Sequence, residues 1–89
     1  MALIMTYTLQ YADSVVHEDI PALPKQKLQI KKAIEERLAV DPVGLGKPLR
    51  YSLLGHRRLR VGDWRVIYRI EKNVVKIVKI GNRKDVYES

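Results

Sequence analysis

Five arginines fall within fifteen residues of this chain, in the stretch His56-Arg-Arg-Leu-Arg-Val-Gly-Asp-Trp-Arg-Val-Ile-Tyr-Arg-Ile70. Arginine keeps its proton and presents a planar fork of donors that matches phosphate and carboxylate oxygens. The spacing decides where these forks point. Gly62-Asp63 is an accepted dipeptide for a two-residue hairpin turn, with Gly tolerating the positive φ that such turns need. Two strands about that turn pair Val61 with Trp64, Arg60 with Arg65, Leu59 with Val66, Arg58 with Ile67, Arg57 with Tyr68 and His56 with Arg69. Paired residues share a face and faces alternate. One face then carries Val61, Trp64, Leu59, Val66 and Tyr68. The other carries Arg60, Arg65, Arg58, Arg69 and His56, with Ile67 among them. Arg57 is the one charge on the apolar side. Like charges directly opposite each other destabilise a hairpin, so Arg60 against Arg65 costs the fold something. The pattern admits two readings, a solvated cationic face or a site for a polyanion such as nucleic-acid phosphate.

Other chemistries lack their residues. The chain has no cysteine, no His-x-x-x-His and no acidic cluster at metal-ligand spacing, so neither a metal nor a cofactor is expected. Gly44 and Gly46 do not form a phosphate-binding loop, since Lys47 is not followed by Ser or Thr. Ser14, Ser52 and Ser89 have no visible His and acid partners for a triad. His17 reads as a helix-surface residue; His56 lies at the edge of the cationic face, where a structural role is the preferred reading. Arginine, lysine and tyrosine remain, and they suit cleavage of RNA. RNA brings its own nucleophile, the 2′-hydroxyl. A protein need only align it with the adjacent phosphate, neutralise the developing charge and assist proton transfer. Guanidinium groups supply the charge, and a tyrosine or histidine must handle the proton.

The overall charge agrees. The 89 residues carry a formal net charge of +7, divided as −1 over residues 1–46 and +8 over residues 47–89. A field of this kind favours nucleic acid, an anionic membrane surface or an acidic protein. An apolar fraction of 46% argues against disorder, and the length allows one domain, residues 1–89. The apolar Met1–Met5 is too short for a signal sequence, and no stretch reaches the length of a membrane span. A soluble, cytoplasmic protein without membrane contact is expected, which the absence of cysteine fits.

The elements that must position these groups follow from periodicity. Thr6–Tyr11 alternates as a first strand. Asp13 or Ser14 is a candidate cap for a short helix ending before Pro21. Pro24 opens a second helix, Lys25–Val40, with Ile30, Ala33, Ile34 and Leu38 on one face and Leu28 off it. Asp41–Pro48 reads as a loop and Leu49–Leu54 as a short extended stretch. After the hairpin, Lys72-Asn73 is a second turn leading into a strand, Val74–Ile80, that pairs Ile70 with Val75, Arg69 with Lys76 and Tyr68 with Ile77. Continuing that register puts Val78 and Ile80 beside Ile67, an apolar strip that calls for a covering partner or tail. Gly81-Asn82 ends the strand before a basic tail. The order predicts an α+β fold, with helices on one face of a mostly antiparallel sheet.

These residues also resemble a known family. Leu59-Arg-Val-Gly-Asp-Trp-Arg65, the ending Gly81-Asn-Arg-Lys-Asp-Val-Tyr87, and Leu23-Pro-Lys25 at the start of the long helix are similar to the RelE/ParE superfamily of toxin–antitoxin toxins. The resemblance covers most of the chain and is weakest over residues 1–20. It implies an N-terminal strand and a helical hairpin packed on one face of a curved, mostly antiparallel sheet. It implies a RelE-type toxin of a type II system, an mRNA endonuclease acting at the ribosomal A site. The residues it implies as catalytic are Arg58, Arg60, Arg65, Arg83 and Tyr87, with Tyr87 in proton transfer. Arg58 and Arg60 stand where active nucleases often carry lysines, which keeps the charge and removes a group able to share protons. RNA contacts would come from His56, Arg57, Arg69, Lys76 and Lys84. The partner implied is a small acidic antitoxin. The alternatives are a ParE-like inhibitor of DNA gyrase and an inactive member of the family.

Overall fold

The hairpin forms in the register that its turn dictates. In the computed structural model, which describes residues 7–25 and 27–82, β3 (Arg57–Val61) pairs with β4 (Trp64–Glu71) through Val61–Trp64, Arg60–Arg65, Leu59–Val66, Arg58–Ile67 and Arg57–Tyr68. The positive φ falls on Gly62, the first loop residue. His56 lies outside the ladder; its carbonyl instead accepts from the Leu49 amide at 3.0 Å. β5 (Val74–Asn82) pairs with the other side of β4, starting with Glu71–Val74, Ile70–Val75, Arg69–Lys76 and Tyr68–Ile77. It runs on through Gly81-Asn82, so these residues extend the strand rather than end it.

Beyond Ile77 the expected register fails. A bulge between Ile67 and Tyr68 leaves Val78 unpaired, so that Ile67 faces Lys79 and Val66 faces Ile80. One extra residue inverts the sidedness of everything after it. Ile80 therefore joins the main core instead of the cationic face. Val78 and Ile67 remain on the outer face, where Leu49 and Ile67 form a small buried cluster with Leu53 and Val78 packed against it. The predicted covering piece is thus supplied by this chain. Leu49–Leu54 is not extended, because Tyr51–Leu53 forms a 3-10 turn that folds back over the strip.

β1 (Thr8–Tyr11) adds in parallel to β5, and β2 (Lys47–Pro48) adds to β3, giving the sheet order β1-β5-β4-β3-β2. One face holds the core. Val66, Tyr68, Val75 and Ile77 have no exposed surface, and Ile30, Ile34 and Leu38 of α1 (Lys27–Leu38) are almost as deeply buried against them. This is the predicted apolar stripe; Leu28, off it, is 72% exposed. A π-helical turn, Val15–Asp19, covers the same core through Val15. Ser14 does not cap it with its side chain; the backbone carbonyl of Ala12 accepts the first amides. The Asp41–Pro48 segment is more ordered than a loop. Asp41 caps a short α2 (Pro42–Leu45) by accepting from the Gly44 amide at 2.9 Å, with Pro42 at the first helical position.

Candidate functional site

Alternation along the two central strands puts Arg58, Arg60, Arg65 and Arg69 on the sheet face opposite the helices, and Lys76 of β5 joins them beside Arg69. Across such a pair the Cβ atoms are about 5 Å apart, so the Arg60 and Arg65 side chains start from neighbouring positions on one face. They differ in freedom. Arg60 is exposed, whereas Arg65 is only 7% exposed and donates to the carbonyls of Gly62 and Trp64 at 3.3 Å. The hairpin turn thus holds the Arg65 guanidinium in place. A charge fixed before its ligand arrives needs little reorganisation to meet it.

Carboxylates attend the cations nearer β1. Arg69 Nε lies 2.8 Å from Glu71 Oε1, and Lys79 Nζ lies 2.9 Å from Asp19 Oδ1. Asp19 also accepts the Ile80 amide at 2.9 Å, so it closes the edge of β5 that β1 is too short to reach. Lys76 lies between Arg69 and Gln10.

Arg57 is set apart from the other arginines. It shares a side with Tyr68, and its Nη1 donates at 3.1 Å to the carbonyls of Val43 and Gly46, at the end of α2. Its charge serves the fold of the Asp41–Pro48 segment on the helical side of the sheet. Tyr68, fully buried beside it, donates its hydroxyl to the Pro42 carbonyl at 2.6 Å. Burial pushes that hydroxyl up to about 12, with Asp41 adding to the rise and Arg57 opposing it. Tyr11 is also raised, by burial first and by Glu35 second. His56 is half-buried, and its Nδ1 lies buried with no hydrogen-bond partner among the described residues. Arg83, Lys84 and Tyr87 lie outside the described residues.

Lys47 was not legible as part of this surface. It pairs with Arg58 at the edge of the sheet and so extends the row Arg58, Arg60, Arg65. Its only mark in the sequence is a basic residue between Gly46 and Pro48.

Comparison with known proteins bears on this arrangement. The family described as ParE toxin of the type II toxin–antitoxin system, parDE, matches residues 12–87. The chain belongs to the RelE/ParE toxin superfamily. As a toxin of this family it is 33% identical over 87 residues to Toxin RelG of Mycobacterium tuberculosis, covering 93% of this chain and 98% of that one. Its structure is similar to the toxin–antitoxin complex RelBE2 from M. tuberculosis, with a TM-score of 0.77 and 30% identity over 88% of this chain and 99% of the matched chain. An E. coli toxin RelE mutant in the free state shares the fold, with a TM-score of 0.70 at 18% identity, covering 90% of this toxin and 86% of that chain. The α+β architecture with a mostly antiparallel sheet is therefore the RelE-like fold.

Proposed function

We propose that this toxin is a ribosome-dependent mRNA endonuclease. The observation that carries the proposal is the Arg60–Arg65 pair, two arginines at facing register positions with Arg58 alongside on the same face. Arg58, Arg60 and Lys76 contact backbone phosphates, and His56, Arg69 and Lys84 are further RNA contacts. Arg65 and Arg83 stabilise the charge that builds on the scissile phosphate. The 2′-hydroxyl oxygen forms a bond to the adjacent phosphorus as its proton leaves. The bond from phosphorus to the 5′-oxygen breaks, and that oxygen takes a proton. The products are a 2′,3′-cyclic phosphate and a 5′-hydroxyl end. Tyr87 acts as general acid or base in these transfers. The message is presented at the ribosomal A site in the cytoplasm. Among the described residues no helix is long and apolar enough to cross a membrane.

An acidic antitoxin restrains the toxin. The similar RelBE2 structure is a toxin–antitoxin complex, and the basic face suits an acidic amphipathic segment.

The test is induction of the toxin without an antitoxin, with mRNA ends and DNA breaks mapped in the same cells. The parent arrests growth and cuts mRNA, and Arg65→Ala, Arg83→Ala and Tyr87→Phe each relieve the arrest. Variants that arrest growth as strongly as the parent overturn the site. DNA breaks without mRNA cleavage assign gyrase inhibition instead. A parent that does no harm is an inactive member.

A further inference from the structure

The open edge of β3 carries a second concentration of positive charge, built from three elements. Among the described residues β2 covers only Arg57 and Arg58, so Leu59, Arg60 and Val61 have no described strand beside them on that side. A cavity of about 280 Å³ opens there, lined by Arg37, Leu45, Lys47, Arg58, Leu59 and Arg60. Four of these six residues are cations and none is an acid. They come from α1, β2 and β3, so no run of charge in the sequence assembles them. In a hairpin closed at Val61 and Trp64, the Arg60 carbonyl points away from β4. Arg37 reaches across the edge and donates to it, at 3.4 Å.

The Lys47 side of this cleft is held from beneath. The Tyr68 hydroxyl bonds the Pro42 carbonyl, and Arg57 bonds those of Val43 and Gly46. Gly46 lies so close over the Tyr68 hydroxyl that no Cβ fits there. The backbone that presents Leu45 and Lys47 is thereby seated on groups beneath it and need not be ordered when an anion binds.

We infer that this cleft is a phosphate subsite for single-stranded RNA, which takes the backbone of the strand as it leaves the cationic face over the edge of β3. The inference rests on the RNA-cleaving reading above and adds to it. Lys47 and Arg37 are phosphate contacts, and the strand runs toward α1 rather than toward β1. Arg58 and Arg60 line the cleft and also belong to the outer row, so a single strand can pass from one to the other without a break. An acidic partner is disfavoured as the occupant, because guanidinium and ammonium groups crowd a small cavity that has only Leu45 and Leu59 to offer an apolar side chain.

The experiment measures binding of the full chain to a labelled 2′-O-methyl RNA oligomer, which the toxin cannot cleave, across a salt series. Lys47→Gln and Arg37→Gln each weaken binding by about threefold to tenfold at low salt and each flatten the salt slope by about 0.7. Lys32→Gln removes the same charge from the exposed side of α1, where Lys32 lies near Glu36, and changes neither quantity by more than about twofold. Lys47→Arg restores binding, which separates a lost contact from a misfolded loop. A parent that binds RNA while Lys47→Gln and Arg37→Gln behave as Lys32→Gln overturns the cleft and leaves the nuclease reading standing. A parent that does not bind the oligomer at all overturns the cleft, while the mapping of mRNA ends decides the nuclease reading separately. Variants that lose binding to a polyglutamate peptide but keep RNA affinity assign the cleft to an acidic protein and overturn the inference.

Discussion

The Tyr68 hydroxyl is tightly constrained on the helical side of the sheet. It is wholly buried, bonded to the Pro42 carbonyl and roofed by Gly46. Tyr68→Phe leaves that carbonyl without its donor and lowers stability by about 1–3 kcal/mol, read by urea unfolding. Gly46→Ala is costlier to the local structure, since the new methyl displaces either the ring or the loop; overpacking of this kind costs about 1–3 kcal/mol and shifts the thermal midpoint down. Alkaline pH tests the same group. Its hydroxyl titrates near 10.0 when unfolded and at about 12 when folded. Between these values the unfolded chain releases the proton and the folded chain keeps it. The stability contributed by Tyr68 is present below pH 10 and is lost as pH rises toward 12. An unfolding series over that range falls in the parent and is flatter in Tyr68→Phe.

The strand β5 is where local pattern and actual placement part. Its first half obeys simple alternation; its second half is governed by the bulge at Val78 and by Asp19 at its free edge. Asp19 accepts both the Ile80 amide and the Lys79 ammonium. Asp19→Ala leaves the Ile80 amide buried without its acceptor and costs about 1–3 kcal/mol. Lys79→Ala takes the cation from the buried Asp19 carboxylate but leaves it the Ile80 amide, and costs less than Asp19→Ala. Thermal unfolding of the two variants separates the amide bond from the ion pair. On the outer face, the packing of Leu53 against the Leu49 and Ile67 cluster holds the Leu49–Leu54 segment down. Leu53→Ala loosens that segment, and hydrogen exchange at the Leu49 amide, which is bonded to His56, rises relative to the β4 amides.

Charge is distributed over the molecule as unevenly as over the sequence. The nearly neutral half, net −1 over residues 1–46, supplies α1 and the π-helical turn that cover the core. The basic half, net +8 over residues 47–89, supplies β2 to β5 and the outer face. A polyanion is therefore drawn to one side of the toxin, and salt weakens the attraction. If Arg58, Arg60, Arg65, Lys76 and Lys47 together neutralise about five phosphates, log affinity for single-stranded RNA falls against log salt with a slope of about −3.5. A slope near zero in an equilibrium titration means that the face does not bind the RNA backbone.

By itself the sequence determined whatever depends on near neighbours and a fixed period. The hairpin register follows from Gly62-Asp63 and from strict alternation, so the gathering of Arg58, Arg60, Arg65 and Arg69 on one face was legible residue by residue. The stripe Ile30, Ile34 and Leu38 follows from the turn of a helix, and the motifs around Arg65 and Tyr87 carried the family. Only the tertiary structure decided the side on which Ile80 lies, because one unpaired residue flips a strand and nothing in Val-Val-Lys-Ile-Val-Lys-Ile announces it. It alone gave Arg57 to the Asp41–Pro48 segment, placed Asp19 against Ile80 across 61 positions of chain, and brought Lys47 and Arg37 to the edge of β3. Those placements arise from the closing of long loops and the packing of distant elements, which no local spacing encodes.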